Sequence, residues 1–146
     1  MALSILTEKE LRMFAMDRPE SNTLIDQVKF SPDDIEQAII NVVDRFNILP
    51  PPSSMYKVET FPSRALLCLG VWGWLLRGAA VGEAINNLTY SAGGVQINDR
   101  DKAEIFTSLG EKFWQEFLDT AKSVKMAQSI NKVYGTRYSE YGYRFF

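Results

Sequence analysis

The sequence has no histidine among its 146 residues. That absence removes Ser-His-Asp and Cys-His nucleophilic catalysis, the HExxH zinc helix and the usual general base of neutral pH. There is one cysteine, Cys68. A single thiol allows no internal disulfide, and without histidine it leaves no zinc site of the standard ligand types. Neither charge sign is in marked excess: 16 Lys and Arg against 18 Asp and Glu give a formal net charge of -2, so no overall field draws nucleic acid. The opening MALSILTEKELR has no basic n-region and no long apolar core, which predicts a protein that stays in the cytoplasm where it is made. The longest apolar run, Ala65 to Leu76, is closed at twelve residues by Arg64 and Arg77. A membrane helix needs about 20, so a buried central helix is the better reading.

That run is what the rest of the chain is organised around. Between Ser63 and Leu88 the leucines, Val71, Trp72 and Trp74 fall on nearly every side of a helix, and a helix apolar all round must be covered all round. Gly70, Gly73, Gly78 and Gly82 interrupt it, each costing about 0.8 to 1 kcal/mol of helix propensity relative to alanine. With Ala79, Ala80 and Ala84 they form a narrow surface on which another backbone can lie closely, either from the same chain or from another copy. At 146 residues and 46% hydrophobic content the chain reads as one ordinary domain with few other elements to cover this spine.

Signals before the spine place two helices. Thr7 and Glu10 have capping-box spacing, and the short helix they start carries Leu11, Phe14 and Ala15 on one face, stopping near Asp17 ahead of Pro19. Arg18 to Lys29 reads as an ordered connection. Ser31-Pro32-Asp33-Asp34 supplies a cap, a proline at N1 and first-turn acids. Ile35, Ala38, Ile39, Val42, Val43 and Phe46 then follow at the spacing of one buried helical face. Pro50-Pro51-Pro52 ends that helix and makes a stiff spacer.

After the spine, Thr89 to Asn98 reads as a small β-hairpin at about 88–98, with Ala-Gly-Gly at its turn and Tyr90, Val95 and Ile97 as apolar anchors. A lone hairpin is marginal in water, so it must lean on the helices or on another copy. A second long helix is predicted from about Asp99 to Ser129, with a stripe running from Ala103 through Phe106, Leu109, Phe113 and Phe117 to Val124, widened by Ile105, Trp114 and Leu118. Lys122, Lys125 and Lys132 cluster near its expected end, where solvated cations suit the negative helix pole. The predicted fold is therefore mainly α: a helical bundle with a long central helix, one small hairpin and an extended C-terminal tail. Residues 1–132 form the helical domain. Residues 133–146 form the tail, in which Tyr134, Arg137, Tyr138, Tyr141, Tyr143, Arg144, Phe145 and Phe146 are expected to bind a partner, tyrosine and arginine being the side chains that carry interface energy. Gly78, Gly82, Tyr90, Val95 and Ile97 are the expected subunit-packing residues.

No arrangement of catalytic groups emerges. The acid pairs Asp33/Asp34 and Asp99/Asp101 stand where helix caps need them, and solvated capping carboxylates do not have the divergent environments of an acid and base pair. Asp99, Asp101 and Glu104 lack the loop of an EF-hand. The diglycine is not followed by the lysine of a phosphate-binding loop. The chain is expected not to be an enzyme and to take no cofactor or metal.

The order FSPDDIEQAIINVVDRFN, a proline break, an apolar helix, LTYSAGGVQINDRDKAEIF and a long closing helix resembles the head-to-tail connector, or adaptor and neck, proteins of tailed bacteriophages. The likeness covers most of Ser31 to Lys125 and lies in pattern, above all in the helix, Tyr-Ser-x-x-Gly-Val hairpin and helix core. It implies a structural virion protein, made in the host cytoplasm, forming a homo-oligomeric ring, usually a dodecamer, beneath the portal. Such a ring extends the DNA channel, lets DNA pass without sequence recognition, and presents a platform to the next neck or tail protein, with the C-terminal tail inserted in the portal and no membrane involved. The rival from another class is a small helical binding or regulatory protein with an apolar groove.

Overall fold

Among the residues that the computed structural model describes, 5–22, 27–86, 89–92, 95–98 and 100–142, the chain is a mainly helical bundle. Helix α1, Glu8–Ala15, begins at a reciprocal capping box. The Glu10 N–H donates to Thr7 Oγ1 at 3.3 Å and the Thr7 N–H donates to Glu10 Oε2 at 2.9 Å. The Thr7 N–H and the Thr7 hydroxyl, both donating to Glu10 Oε2 at 2.9 Å, with Arg64 nearby, hold the Glu10 carboxyl below its ordinary pKa. The helix stops at Met16, whose φ of 57° and ψ of 27° place a side-chain-bearing residue in the left-handed region. Its buried face is Leu11 and Arg12, not Leu11, Phe14 and Ala15: Phe14 and Ala15 are exposed, and Phe14 rests its ring against Phe113 at 5.8 Å.

Arg12 is buried because its guanidinium is satisfied on every side. Nη1 donates to Asp17 Oδ2 at 2.7 Å, Nε to Glu8 at 2.8 Å and Nη2 to the Phe30 carbonyl at 2.9 Å. Asp17 in turn accepts from the Lys29 N–H at 2.7 Å and from Asn22 Nδ2 at 2.8 Å. This network ties the connection after α1 to the helix itself, the fully hydrogen-bonded condition under which a buried ion pair is tolerable.

Helix α2, Pro32–Ile48, buries Ile35, Ala38, Ile39, Val42, Val43 and Phe46, the six residues its spacing predicts. Its cap is also reciprocal, Ser31 Oγ accepting from the Asp34 N–H at 3.1 Å and Asp34 accepting from the Ser31 N–H at 3.1 Å. The Asn47 amide then holds the Tyr56 backbone from both sides at 2.9 Å, folding the proline segment back along α2.

Helix α3, Arg64–Ile85, is the spine, started by Ser63, whose Oγ accepts from the Leu66 N–H. By length and composition it could cross a bilayer. Its first half is instead enclosed: Leu66, Leu67, Val71 and Trp72 are buried, and Trp72 Nε1 donates to the Leu11 carbonyl at 2.9 Å. Cys68 is buried there too, its thiol pushed up to about 11 by burial, so it acts as a packing atom.

Two strands follow, β1 (Thr89–Ala92) and β2 (Val95–Asn98), paired antiparallel with Tyr90 opposite Ile97 and Ala92 opposite Val95. Helix α4, Arg100–Gly142, closes the chain. It corrects the expectation of an extended tail from 133 onward. Nothing in Ser129 to Gly142 stops a helix: there is no proline, and Gly135 within it costs only about 1 kcal/mol. Residues 143–146, with Tyr143, Arg144, Phe145 and Phe146, lie outside the described residues.

Candidate docking surface

Glycines set how α4 lies on α3. A Cβ on Gly70 would stand 2.5 Å from Val42 Cγ1 and 2.9 Å from the Phe117 ring, and one on Gly73 would stand 2.9 Å from the Trp114 backbone nitrogen. Gly110 meets the Arg77 backbone in the same way at 3.0 Å. The two helices are therefore antiparallel and in close contact, with Phe117 at the level of Gly70 and Gly110 at the level of Arg77. The same register brings the start of α3, Arg64, level with about Ser123.

Beyond that level α4 keeps going. Lys125 is fully buried and its ammonium serves the end of α2: Nζ donates to the Asn47 carbonyl at 3.2 Å and to the Leu49 carbonyl, and lies 5.2 Å from the centre of the Phe46 ring. Burial lowers its pKa from the ordinary lysine value. The sequence reading put Lys125 in a solvated cluster at the pole of its own helix. In the fold it caps the negative end of a different helix, because α4 continues for another seventeen residues, Met126 to Gly142. Gln128, Ser129, Asn131 and Lys132 then border the proline segment at Pro52, Ser53, Ser54 and Tyr56. From Val133 to Gly142 the helix extends about 15 Å further.

The polarity of α4 changes sides where it leaves α3. Its inward series, at steps of three and four, is Gly110, Trp114, Phe117, Ala121 and Lys125, continuing as Gln128 and Lys132 beside the proline segment. Its outward series begins Lys112, Glu116, Asp119 and Ser123, and continues as Met126, Ile130 and Val133, with Tyr134 beside it. Met126, Ile130, Val133 and Tyr134 are each more than half exposed. Of the predicted partner-binding residues, Tyr134, Arg137, Tyr138 and Tyr141 thus sit on one projecting helix. Tyr134 joins a stripe with Met126, Ile130 and Val133, which the sequence reading missed. The signal was legible as a helical period offset from that of Phe117 and Ala121.

A second uncovered surface lies at the other end of the molecule. In the later half of α3 a Cβ on Gly78 or Gly82 would meet nothing within 4 Å. Here Trp74, Gly78, Val81 and Ala84 of α3 and Thr107 and Glu111 of α4 line a mostly apolar groove of ≈ 550 Å³. Val81 is 60% exposed and Ile85 77%. Arg77 spans the groove wall, paired with Glu111 at 3.0 Å and stacked over Trp114 at 5.3 Å. Tyr90, Val95 and Ile97 are at strand positions on the ribbon that joins α3 to α4, and the register puts Tyr90 and Ile97 directly opposite one another. Gly78 and Gly82 are separated from the predicted tail residues by most of the length of α4. Among the described residues no group of three acidic or cysteine side chains is placed to hold a metal ion.

Comparison with protein-family models, with curated proteins and with solved structures finds no match to this chain.

Proposed function

We propose that the chain is a structural virion protein: a ring-forming head-to-tail connector that docks on the portal, extends the DNA channel and joins capsid to tail. The observation that carries this reading is the far end of α4, where a helix leaves its own bundle and turns an apolar, tyrosine-bearing face outward on the side away from the core. Such a face is a recognition element for a protein groove, read as anchors at helical spacing. The resemblance of the helix, ribbon and helix order from Ser31 to Lys125 to phage neck proteins supports the same reading, with the ribbon as the small hairpin of that pattern. Its partners are other copies of itself, the portal protein, and the next neck or tail protein, with DNA passing through the lumen unread. It is made in the host cytoplasm and works in the virion, with no turnover, cofactor or membrane.

The helical end changes how docking is imagined. The part that inserts is a preformed rod ending in four further residues, so little ordering entropy is lost on binding. Co-expression with the cognate portal protein tests the reading. The full chain co-purifies with portal and gives rings in negative stain. A chain ending at Val133 keeps its helical circular dichroism and no longer docks. A monodisperse monomer that never associates with portal sinks the proposal, and a truncated chain that still docks sinks the role of the α4 end.

The groove favours a second reading, a small helical binding or regulatory protein. Its ≈ 550 Å³ is within the range of small-ligand pockets, and its walls are mostly apolar. Mass photometry separates the two: rings for a connector, single small particles for a binding protein.

A further inference from the structure

We propose that the cavity between the proline segment and α4 binds an extended peptide of a partner protein, held by the Gln128 carboxamide through the N–H and C=O of one residue. The cavity measures ≈ 300 Å³ and is lined by Ser53, Ser54 and Tyr56 on one side and by Gln128, Ser129 and Asn131 of α4 on the other. It is separate from the apolar groove between α3 and α4, and it does not require copies to form a ring.

An orphaned atom marks the site. Among the described residues, Gln128 Oε1 is a buried side-chain acceptor with no hydrogen-bond partner. Buried polar groups are normally paired, and an acceptor taken out of water without a donor costs the fold stability. One water satisfies such an atom, but ≈ 300 Å³ is about ten times the share of liquid volume of one water, about 30 Å³. The space has the size of a small binding pocket.

What the ligand must carry follows from a contact the fold already contains. The Asn47 carboxamide holds Tyr56 by both main-chain groups: the Tyr56 N–H donates to Oδ1, and Nδ2 donates to the Tyr56 carbonyl, each at 2.9 Å. In extended chain the N–H and C=O of one residue face the same way, so a single carboxamide spans them. Gln128 carries the same group, and its Oε1 lacks the N–H half of that pair. The hydroxyls of Ser53, Ser54 and Ser129 and the amide of Asn131 both donate and accept, which suits the peptide groups on either side. Main-chain hydrogen bonds of this kind give affinity for an extended peptide with little demand on its sequence.

Nuclear magnetic resonance of the isotope-labelled full chain tests the site at the Gln128 side-chain amide. The probe is trialanine blocked by acetyl and N-methylamide groups, in which every residue offers both an N–H and a C=O. The expected result is a saturable shift of the Gln128 side-chain amide at millimolar probe, with the backbone amides of Ser53, Ser54 and Ser129 moving alongside. The same peptide methylated at each alanine nitrogen has lost those donors, and glycerol supplies O–H donors without the peptide pair; both bind about tenfold more weakly or worse. Gln128→Met keeps an unbranched stem, stays folded by circular dichroism and binds blocked trialanine about tenfold more weakly. Equal shifts with the methylated peptide or glycerol overturn the proposal, and so does unchanged binding by Gln128→Met. No shift with any probe overturns it too and leaves the cavity to water only. Should Gln128→Met not fold, the comparison of probes on the parent chain decides alone. Ring formation is read from particle size and stands or falls apart from these results.

Discussion

At the scale of single residues, two positions show side chains set against their usual preferences. Met16 holds a left-handed conformation that costs a residue with a Cβ roughly 1 kcal/mol or more, at a position where helices commonly use glycine. Met16 is more than half exposed, so little packing is lost by removing it. Met16→Gly is expected to raise the unfolding free energy by about 0.5–1 kcal/mol, read from urea titration. Lys125 is the opposite case, a buried ammonium kept because the carbonyls of Asn47 and Leu49 need a donor. Lys125→Met retains the stem and leaves both carbonyls without it, at an expected loss of about 1–3 kcal/mol at neutral pH. The pH dependence has a definite sign. Burial lowers the folded pKa, so between that value and the ordinary 10.5 the unfolded chain binds more protons than the folded one. Stability of the parent chain therefore rises with pH across that window relative to Lys125→Met. A difference that shrinks with rising pH would mean that the amine is not desolvated.

Elements were legible where a period and a cap agreed, and misread where a helix served something other than its own neighbours. Helix α2 has both: Ser31 and Pro32 announce its start and six residues at helical spacing name its buried face. Phe14 and Ala15 satisfied the same spacing rule in α1, yet Arg12 took the inward position, because a carboxylate five residues away and a carbonyl eighteen away could satisfy it. Partners so distant in sequence leave no local period. The end of α4 was misread for a related reason. Aromatic residues interleaved with glycine suggested an extended strap, but propensity alone carries a helix through them once α3 and α2 have fixed its first 30 Å or so. The glycines of α3 read alike in the sequence and split in the structure. Gly70→Ala forces a methyl against Val42 and Phe117 and is expected to cost about 1–3 kcal/mol, whereas Gly78→Ala meets nothing and is expected to gain about 0.8–1 kcal/mol. Thermal melts of the two variants under conditions where the chain is monomeric check the contrast. Equal effects would mean that α4 does not approach α3 as closely as Gly70 and Gly73 require.

For the whole molecule, the distribution of apolar surface decides what kind of association to expect. The core is complete around the first half of α3, where α1, α2 and α4 all meet it, and incomplete at both ends of α4. Val81 and Ile85 at one end and Met126 and Ile130 at the other are exposed aliphatic or thioether side chains. Assembly through these surfaces removes apolar area from water, which is entropy-driven near room temperature and carries a negative heat-capacity change. Association is therefore expected to weaken on cooling, the reverse of assembly driven by hydrogen bonds or ion pairs. Sedimentation equilibrium of the full chain at 4 °C and 25 °C, with calorimetry of dilution for the heat capacity, distinguishes the two. Tighter assembly in the cold, with a heat-capacity change near zero, would show that copies meet through the polar faces of the bundle, and the apolar ends of α4 would then have to be assigned to a different protein.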